Sequence, residues 1–475
     1  MSQYLTKLLL DKFIELKPKK INHGNKLLKS LSILLVAFSL YACGDAKEIY
    51  DNTKQLVDEA REYEGAWQSQ GSGLILNLTR DSAEAYEITN VSCLRIFEGT
   101  QDTLTEVFVE SFTVNSVGEL VAPSLTSTET LFFDKLATLP NLCANNGTDF
   151  TSDPEHNFEV FWHTFNEHYT YFTERGIDWQ RIYSEYRAEV DANTTDAQLF
   201  SIFAEILTPF KDAHISIEGG GFSFDGSSTP EFNKFYNRAN DPRALDIILS
   251  NYLNNDFKMD EQSIARWGSI DESIGYINFR KFGGFAGNSQ YGSDHDEKFM
   301  DILHEIFNDF QNKDSIVIDV RNNSGGGDGR VLKLASVFAN DNTLLYSEKT
   351  RHEGGFTPTV DFYSSSVNNL SFAGKIVVLT SPISVSSAEQ LAINLLPVSQ
   401  ATIVGQNTFG ALSQFSRVLP NGWVFKLTNQ VVIAANGDDY EVIGVPPHVQ
   451  SISFSEADLD AGIDSTLDTA IDVLN

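Results

Sequence analysis

Residues 375–396 read KIVVLTSPISVSSAEQLAINLL and predict a strand, a polar loop and a helix in succession. The run at 375–380 is apolar after its first lysine, as in a strand buried on both faces, and residues 388–396 have helical character. Between them, SVSSAEQ places three serines at a helix start. Ser386 followed by Glu389 fits a capping box, in which each side chain bonds the other's backbone N–H. A serine here can also be a nucleophile if the chain supplies a base, an orienting acid and oxyanion donors.

The same alternation extends around this stretch. IGYINFRKF (274–282) and SIVIDVR (315–321) read as buried strands, and residues 297–310 and 329–340 read as helices. Strands that alternate with helices indicate an α/β fold. We therefore predict an α/β core over residues 266–475.

Three further regions precede this core. GLILNLT, AYEITNV, EVFVESFTV and TLFFDKL predict a small β-domain over residues 64–150, either a partial barrel or a sandwich. Residues 151–217 predict a helical subdomain, with aromatic side chains at helical spacing from Phe158 to Tyr169. Residues 218–265 are rich in Gly, Ser, Asn and Asp and predict a lid or linker with one helix over ALDIILSNYL.

The charge balance excludes one class of partner. The formal net charge is −31, and nucleic-acid binding needs clustered Lys and Arg, so we expect no nucleic-acid partner. The histidines lack metal-ligand spacing such as H-E-x-x-H, and the glycines lack the G-x-G-x-x-G pattern of dinucleotide sites. We therefore expect no metal and no cofactor.

The N-terminus predicts export. Residues 1–42 contain seven lysines and end in a mostly apolar run from Leu31 to Ala42, which is typical of a signal peptide and too short for a confident membrane span. Leu40 to Cys43 resembles the lipobox of bacterial lipoproteins. That resemblance implies cleavage before Cys43, acylation of its sulfur, a tether over 43–63, and attachment to the cell envelope on the periplasmic or outer-membrane face. An ordinary membrane anchor with a free cysteine is the alternative.

Two cysteines remain, Cys93 and Cys143. An even pair in an exported protein suggests a disulfide bond, which would staple the N-terminal region. Two buried thiols are the alternative.

Two loops carry further candidates for catalysis. NNSGGG (322–327) follows a predicted strand, and its glycines can expose backbone N–H groups that suit an oxyanion. KDAH places His214 at a change from helix to strand, two residues after Asp212. An imidazole can take a serine proton near neutral pH.

The order of five motifs is more specific than any one of them. KDAH, IDVRNNSGGG, LTSPISVSSAEQ, VGQNTFG and YEVIGVPPHV together resemble the tricorn-core and C-terminal processing peptidase family of serine hydrolases, over roughly residues 154–455. The resemblance implies a ClpP/crotonase-like α/β core. Many relatives insert a PDZ domain after the helical region, but only about 60 positions separate His214 from Ile274, too few for one.

The resemblance also implies site residues. The family serine stands three residues before a glutamate, which selects Ser386 as the nucleophile. In the tricorn-like branch the base is a histidine oriented by a glutamate, which selects His214 and Glu441. Asp212 is a rival partner for the histidine, although two residues away it is better suited to bonding backbone and shaping the turn.

Two departures from the family patterns bear on which branch of the family this sequence resembles. Ala411 stands where the processing branch has its catalytic lysine, so a Ser–Lys dyad is excluded there. Ala213 stands where the tricorn peptidase has a serine before its histidine. The predicted oxyanion donors are the N–H groups of Gly325 or Gly326 and of Ser387.

The sequence thus predicts an exported, lipid-anchored serine endopeptidase with a peptide or protein substrate and a Ser-His-Glu triad. The alternative is a non-catalytic lipoprotein that keeps the fold and binds a peptide or other ligand. Arg321 or Arg330, near the glycine loop, are the candidates to anchor a substrate carboxylate.

Overall fold

A computed structural model describes residues 63–107, 109–124, 130–146, 150–287 and 293–475. The predicted signal peptide, nearly all of the tether and the lipidation candidate Cys43 lie outside the described residues. Within those ranges, no helix has both the length and the apolar character needed to span a bilayer.

The N-terminal β-domain is a single antiparallel sheet of seven strands, in the order β4-β3-β2-β1-β7-β6-β5. Its buried face includes Trp67, Leu76 and Phe133. The domain is therefore a single sheet and not the sandwich that was one of our two alternatives, whereas this strand order is compatible with the partial barrel that was the other. Its strands are β1 Gly65–Ser69, β2 Leu74–Leu78, β3 Ala83–Ile88, β4 Cys93–Gly99, β5 Thr113–Val114, β6 Leu120–Pro123 and β7 Thr130–Leu136.

One predicted strand of this domain is largely wrong. Residues 106–114 were expected to be extended, but helix α1 covers Gln101–Val107, and of the described residues in this stretch only Thr113–Val114 form a strand. The Thr100 hydroxyl accepts the Thr103 N–H at 3.1 Å, and Leu104 is buried, so a local cap and one apolar contact favour the helix. Cys93 and Cys143 form a disulfide bond with Cα atoms 5.1 Å apart.

The helical subdomain begins where the sequence places its caps. The helices are α2 Pro154–His168, α3 Trp179–Tyr186 and α4 Asp196–Leu207, and Asp153, Asp178 and Thr195 cap them. The aromatic stripe of α2 is buried against a small antiparallel sheet, not exposed as a ligand cage. That sheet consists of β8 Ser216–Gly219, β9 Phe222–Asp225, β19 Phe415–Val418 and β20 Val424–Leu427.

The predicted lid or linker is more ordered than expected. It contains two helices, α5 Pro230–Ala239 and α6 Pro242–Ile247, and strand β10 Phe257–Met259. The signal for α5 was present, because Thr229 caps it and a proline stands at its first position. The ring of Phe232 on α5 lies 5.4 Å from the ring of Phe409. Phe409 directly precedes a segment of the site described below, so this contact joins the lid to the site.

The core sheet has the order β10-β11-β12-β13-β17-β18-β22 and confirms the α/β class. The pairs from β12 to β22 are parallel. Its other strands are β11 Ala265–Ser269, β12 Ile274–Phe279, β13 Ser315–Asp319, β17 Lys375–Thr380, β18 Ala401–Gly405 and β22 Val449–Gln450. Helices α7 Ser293–Asp309, α8 Asp328–Ser336, α9 Ser387–Leu395, α10 Glu456–Ala461 and α11 Ser465–Leu474 complete the core.

Two apolar layers sandwich this sheet. Ile316 and Val378 join the layer with α7, α8 and α9, whereas Val317 and Val377 face the layer that contains α11. Burial on both faces explains the continuous apolar runs of β13 and β17. Because these two neighbouring strands are parallel, the glycine loop and the Ser386 turn leave the sheet at the same edge.

A last sheet borders the core. It pairs β14 Leu344–His352 with β15 Gly355–Phe356, β16 Val360–Tyr363 and β21 Gln430–Ala434.

Candidate active site

Ser386 occupies a strained turn between β17 and α9. Its backbone has φ 61° and ψ −125°, a region that residues with a Cβ rarely adopt. Its N–H donates to the Ala411 carbonyl at 3.0 Å and to the Glu389 carboxylate at 3.1 Å. Ser386 is partly exposed, whereas Val385 and Ser387 on either side are buried. The surroundings therefore impose an unusual conformation that presents this one serine.

Glu389 does more than cap the helix. Its carboxylate is fully buried and also accepts hydrogen bonds from the Thr408 hydroxyl at 2.6 Å and from the N–H groups of Gly410 at 2.6 Å and Ala411 at 2.9 Å. Burial raises the pKa of Glu389 to about 7, although these hydrogen bonds oppose the shift. Glu389 thus joins the serine turn to the segment that contains Gly410.

The glycine loop lies against the serine. A Cβ built on Gly325 would lie 2.6 Å from Ser386 Cβ and 3.0 Å from its Oγ. A Cβ on Gly326 would meet the Phe282 carbonyl at 2.4 Å. Both residues also have positive φ, at 95° and 148°. Glycine is therefore required here for close backbone approach and for conformation.

The hydrogen bonds narrow the choice of oxyanion donors. The Gly325 N–H donates to Asn323 Oδ1 at 2.8 Å and is engaged. The N–H groups of Gly326 and Ser387 have no acceptor within the ranges that the structure describes. Of the three predicted donors, the N–H groups of Gly326 and Ser387 remain available for an oxyanion. The Gly325 N–H instead makes a hydrogen bond within the glycine loop.

His214 lies in a tight turn before β8. Asp212 Oδ1 accepts the His214 backbone N–H at 2.8 Å, the turn-shaping contact that we expected of this aspartate. The imidazole is buried, and its Nδ1 has no partner among the described residues. Burial lowers the pKa of His214 to about 4, against the opposing charge of Asp212. The ring is therefore neutral at pH 7, as a base must be.

Glu441 is buried but does not bond His214. Its carboxylate accepts the Leu412 N–H at 2.8 Å and the Arg175 guanidinium at 3.0 Å. Burial and the nearby Asp212 carboxylate raise the pKa of Glu441, and Arg175 opposes this shift. The next residue, Val442, has φ 71°, an outlier for a β-branched residue, and its N–H donates to the Gly410 carbonyl at 2.9 Å.

One short segment meets all three predicted catalytic residues. The Ala411 carbonyl accepts the Ser386 N–H, the Leu412 N–H donates to the Glu441 carboxylate, and the Ser413 backbone lies near the His214 imidazole. Adjacent Cα atoms lie about 3.8 Å apart, so these three residues meet within a few ångströms of backbone. The structure shows no hydrogen bond between Ser386 and His214, and their roles in catalysis stay predictions.

Arg175 was not among the site residues that the sequence predicted. Its Nη2 lies 3.2 Å from Asp212 and 3.0 Å from Glu441, and its Nη1 donates to the Phe210 carbonyl at 2.9 Å. The side chain is 5% exposed. Arg175 therefore joins the turn that carries His214 to Glu441, 266 residues away in the chain.

Comparison with known families agrees with this geometry. Residues 273–451 match the model of peptidase family S41, and residues 150–208 match the C1 domain of the tricorn protease. Residues 273–451 therefore form a peptidase family S41 domain. The first match contains the glycine loop, Ser386 and Glu441, whereas His214 of this S41 peptidase lies between the two matched regions.

Solved structures share the fold. A candidate peptidase from Parabacteroides merdae is 24% identical, with a TM-score of 0.57 over 68% of this chain and 97% of that one. A mutant of CPAF is 12% identical, with a TM-score of 0.50 over 68% of this chain and 97% of that one. The tricorn protease aligns at 13% identity over 84% of this chain and 45% of that one, with a TM-score of 0.42 that is too low to bear on the fold.

The two arginines that we predicted as candidate substrate anchors are buried and paired with carboxylates. Arg321 is fully buried and pairs with Asp319 at 2.6 Å and Asp464 at 2.7 Å. Arg330 is buried and pairs with Asp296 at 2.7 Å. Both stabilise the core, and the expectation that either anchors a substrate carboxylate is wrong.

Proposed function

We propose that this S41 peptidase is an exported serine endopeptidase in which Ser386 attacks a substrate peptide bond. The observation that carries the proposal is the placement of Ser386. A partly exposed serine in a strained conformation touches a glycine loop, and no described residue supplies an acceptor for the N–H groups of Gly326 and Ser387. A capping role alone requires neither the strain nor the unpaired donors.

The chemistry follows from these positions. His214 takes the Ser386 proton as Oγ attacks the peptide carbonyl carbon, and the resulting oxyanion accepts from Gly326 and Ser387. The C–N bond then breaks as His214 returns the proton to the leaving amine. Water, activated by the same imidazole, hydrolyses the acyl-enzyme. Losing one oxyanion donor typically costs about 2.7–4 kcal/mol of transition-state stabilisation.

In this mechanism Glu441 and Arg175 act through the position of His214. Arg175 holds both Glu441 and Asp212, and Asp212 bonds the histidine backbone. Glu441 then stabilises the imidazolium that forms, as the acid does in triads generally. Proton transfer requires Ser386 and His214 to approach to about 2.6–3.2 Å, and such contacts often tighten only when substrate binds.

Covalent labelling tests the nucleophile. Purified protein is treated with a fluorophosphonate probe, and the peptides released from a proteome digest are profiled in parallel. We expect the wild type and Ser399→Ala, an exposed serine beyond α9, to be labelled and to cleave peptides. We expect Ser386→Ala to do neither. A wild type that is folded, unlabelled and inactive would instead favour the non-catalytic ligand-binding protein.

We also propose that the protein is anchored to the cell envelope through a lipid on Cys43. Support comes from the basic and apolar pattern of residues 1–42 and from the Cys93–Cys143 disulfide, since such bonds persist in oxidising compartments. Metabolic labelling with a fatty acid tests this in cells. We expect the wild type to be labelled and Cys43→Ser to be unlabelled, and absence of label from both would contradict it.

A further inference from the structure

We propose that a second site, separate from Ser386, binds a carboxylate-bearing ligand. The site is a cleft of about 480 Å3 where the β-domain, the end of α2 and the β14–β15 hairpin meet. We call it the junction cleft, and its argued lining residues are Gly71, Asn90, Glu167, His168, Arg351 and His352.

Arg351 supplies a cation without a counter-charge. None of the described residues places a carboxylate within ion-pair distance of its guanidinium, whose Nη2 donates to the Asn166 carbonyl at 3.2 Å. Its Nε is buried with no partner in the described ranges. Arg175, Arg321 and Arg330 each pair with carboxylates in this acidic chain, so Arg351 differs from them.

His168 supplies a second unsatisfied group. Its side chain is buried, with 7% of the residue exposed, and neither ring nitrogen has a hydrogen-bond partner among the described residues, although the Gly71 backbone lies nearby. Burial, together with the charges of Arg417 and Arg351, lowers the pKa of His168 to about 3. The ring is therefore neutral and offers one N–H donor, and a buried donor without an acceptor is costly.

With the remaining charged and titratable groups taken into account, the cleft still presents hydrogen-bond donors to a ligand. His352 Nδ1 accepts the Gly71 N–H at 3.1 Å, which places the proton of the neutral ring on Nε2. Glu167 is engaged, because it accepts the Asn90 N–H at 3.0 Å and lies 3.4 Å from His163 Nδ1. Glu353 lies exposed at the hairpin. Among the described residues, no group of ligating side chains is suited to a metal ion.

These features select the ligand class. A guanidinium and imidazole N–H groups match a carboxylate, which accepts through two oxygens. The volume lies within the range of small-molecule sites and exceeds the needs of a bare ion. A free carboxylic acid and the C-terminal end of a peptide share this chemistry.

Calorimetry with the Ser386→Ala protein tests the proposal without cleavage of the probe. The probes are acetate, trialanine with a free C-terminal carboxylate, and trialanine amide. We expect trialanine or acetate to bind, and the amide to bind about tenfold or more weakly than the acid. Tighter binding of trialanine than of acetate would identify the C-terminal end of a peptide as the ligand. Binding of acetate alone would identify a small carboxylic acid.

Matched variants locate the binding. Arg351→Gln should lower the affinity for the acid by about tenfold or more. Arg80 is an exposed arginine of the β-domain, and Arg80→Gln should leave that affinity unchanged. Circular dichroism checks that each variant is folded. No binding of either acid to the folded parent protein, equal binding of acid and amide, or an unchanged affinity in folded Arg351→Gln would overturn the proposal.

Discussion

Arg175 Nη2 lies 3.0 Å from the carboxylate of Glu441, inside a part of the protein from which water is excluded. The same nitrogen lies 3.2 Å from Asp212, whose other oxygen accepts the N–H of His214. One guanidinium therefore stands between two buried carboxylates. Removing it would leave both uncompensated, a more severe change than the loss of an exposed ion pair.

Arg175→Ala should lower both stability and activity. We expect the free energy of unfolding to fall by about 3–5 kcal/mol, the usual cost of removing one partner of a buried pair. Peptidase kcat/KM should fall by about 100-fold, because His214 is no longer held in place. Urea unfolding and initial rates measure the two effects.

The control for this variant is Arg181→Ala. The Arg181 side chain is 71% exposed in its pair with Glu185, so its loss should leave stability and activity nearly unchanged. Arg175→Lys keeps the charge but loses the simultaneous contact with Glu441 and Asp212. Relative to Arg175→Ala, it should therefore restore more of the stability than of the activity. Full activity in Arg175→Ala would show that the guanidinium does not position the histidine.

Gly325→Ala should abolish fluorophosphonate labelling and peptidase activity, because the added methyl group would lie 2.6 Å from Ser386 Cβ. Gly118→Ala is a matched control with a similar φ, 91° against 95°, and open space around the new Cβ. It should cost about 1–3 kcal/mol in backbone strain and leave labelling intact. Normal labelling of Gly325→Ala would contradict the contact between the glycine loop and the nucleophile.

Stability should depend on pH through His214. Its pKa is about 4 in the folded protein and near 6.5 when exposed, so its contribution is complete above pH 6.5 and is lost as pH falls through 4. The free energy of unfolding of the wild type minus that of His214→Asn should shrink by about 3 kcal/mol between pH 7 and pH 4. Urea titrations at both pH values measure it, and a constant difference would show that the imidazole is not buried in neutral form.

The disulfide should stabilise the β-domain. A bond between cysteines 50 positions apart restricts the unfolded chain by about 4 kcal/mol in the loop-entropy model. Replacing both cysteines with serine should lower the thermal midpoint seen by circular dichroism, and reductant should lower it in the wild type but not in the variant. Fluorophosphonate labelling of Ser386 should persist at low temperature, because the bond lies within the β-domain.

The sequence predicted the core strands well. β13 and β17 are buried on both faces, which leaves an unbroken apolar run, and Thr195 and Asp178 form local caps. Local signals were missed where two patterns competed. The apolar spacing at 106–114 suggested a strand, but the Thr100 cap favours a helix.

The site was less predictable because its contacts are remote in the chain. Motif order pointed to Ser386, His214 and Glu441, and the structure brings all three to residues 411–413. Nothing near Arg175 indicates that its partner lies 266 residues away. Nor does a run of three glycines reveal that the N–H of the first is engaged by Asn323.

The contacts of residues 410–413 with the serine turn, Glu441 and His214 have an evolutionary consequence, because they are made by peptide groups. The contacts themselves do not depend on side chains, so replacement there is limited by the backbone conformation and by the buried packing of Ala411, Leu412 and Ser413. The number of residues is limited more strictly. A single insertion or deletion would shift each peptide group to a neighbour's partner and separate three functions at once. This segment should therefore keep its length more strictly than its composition among related proteins.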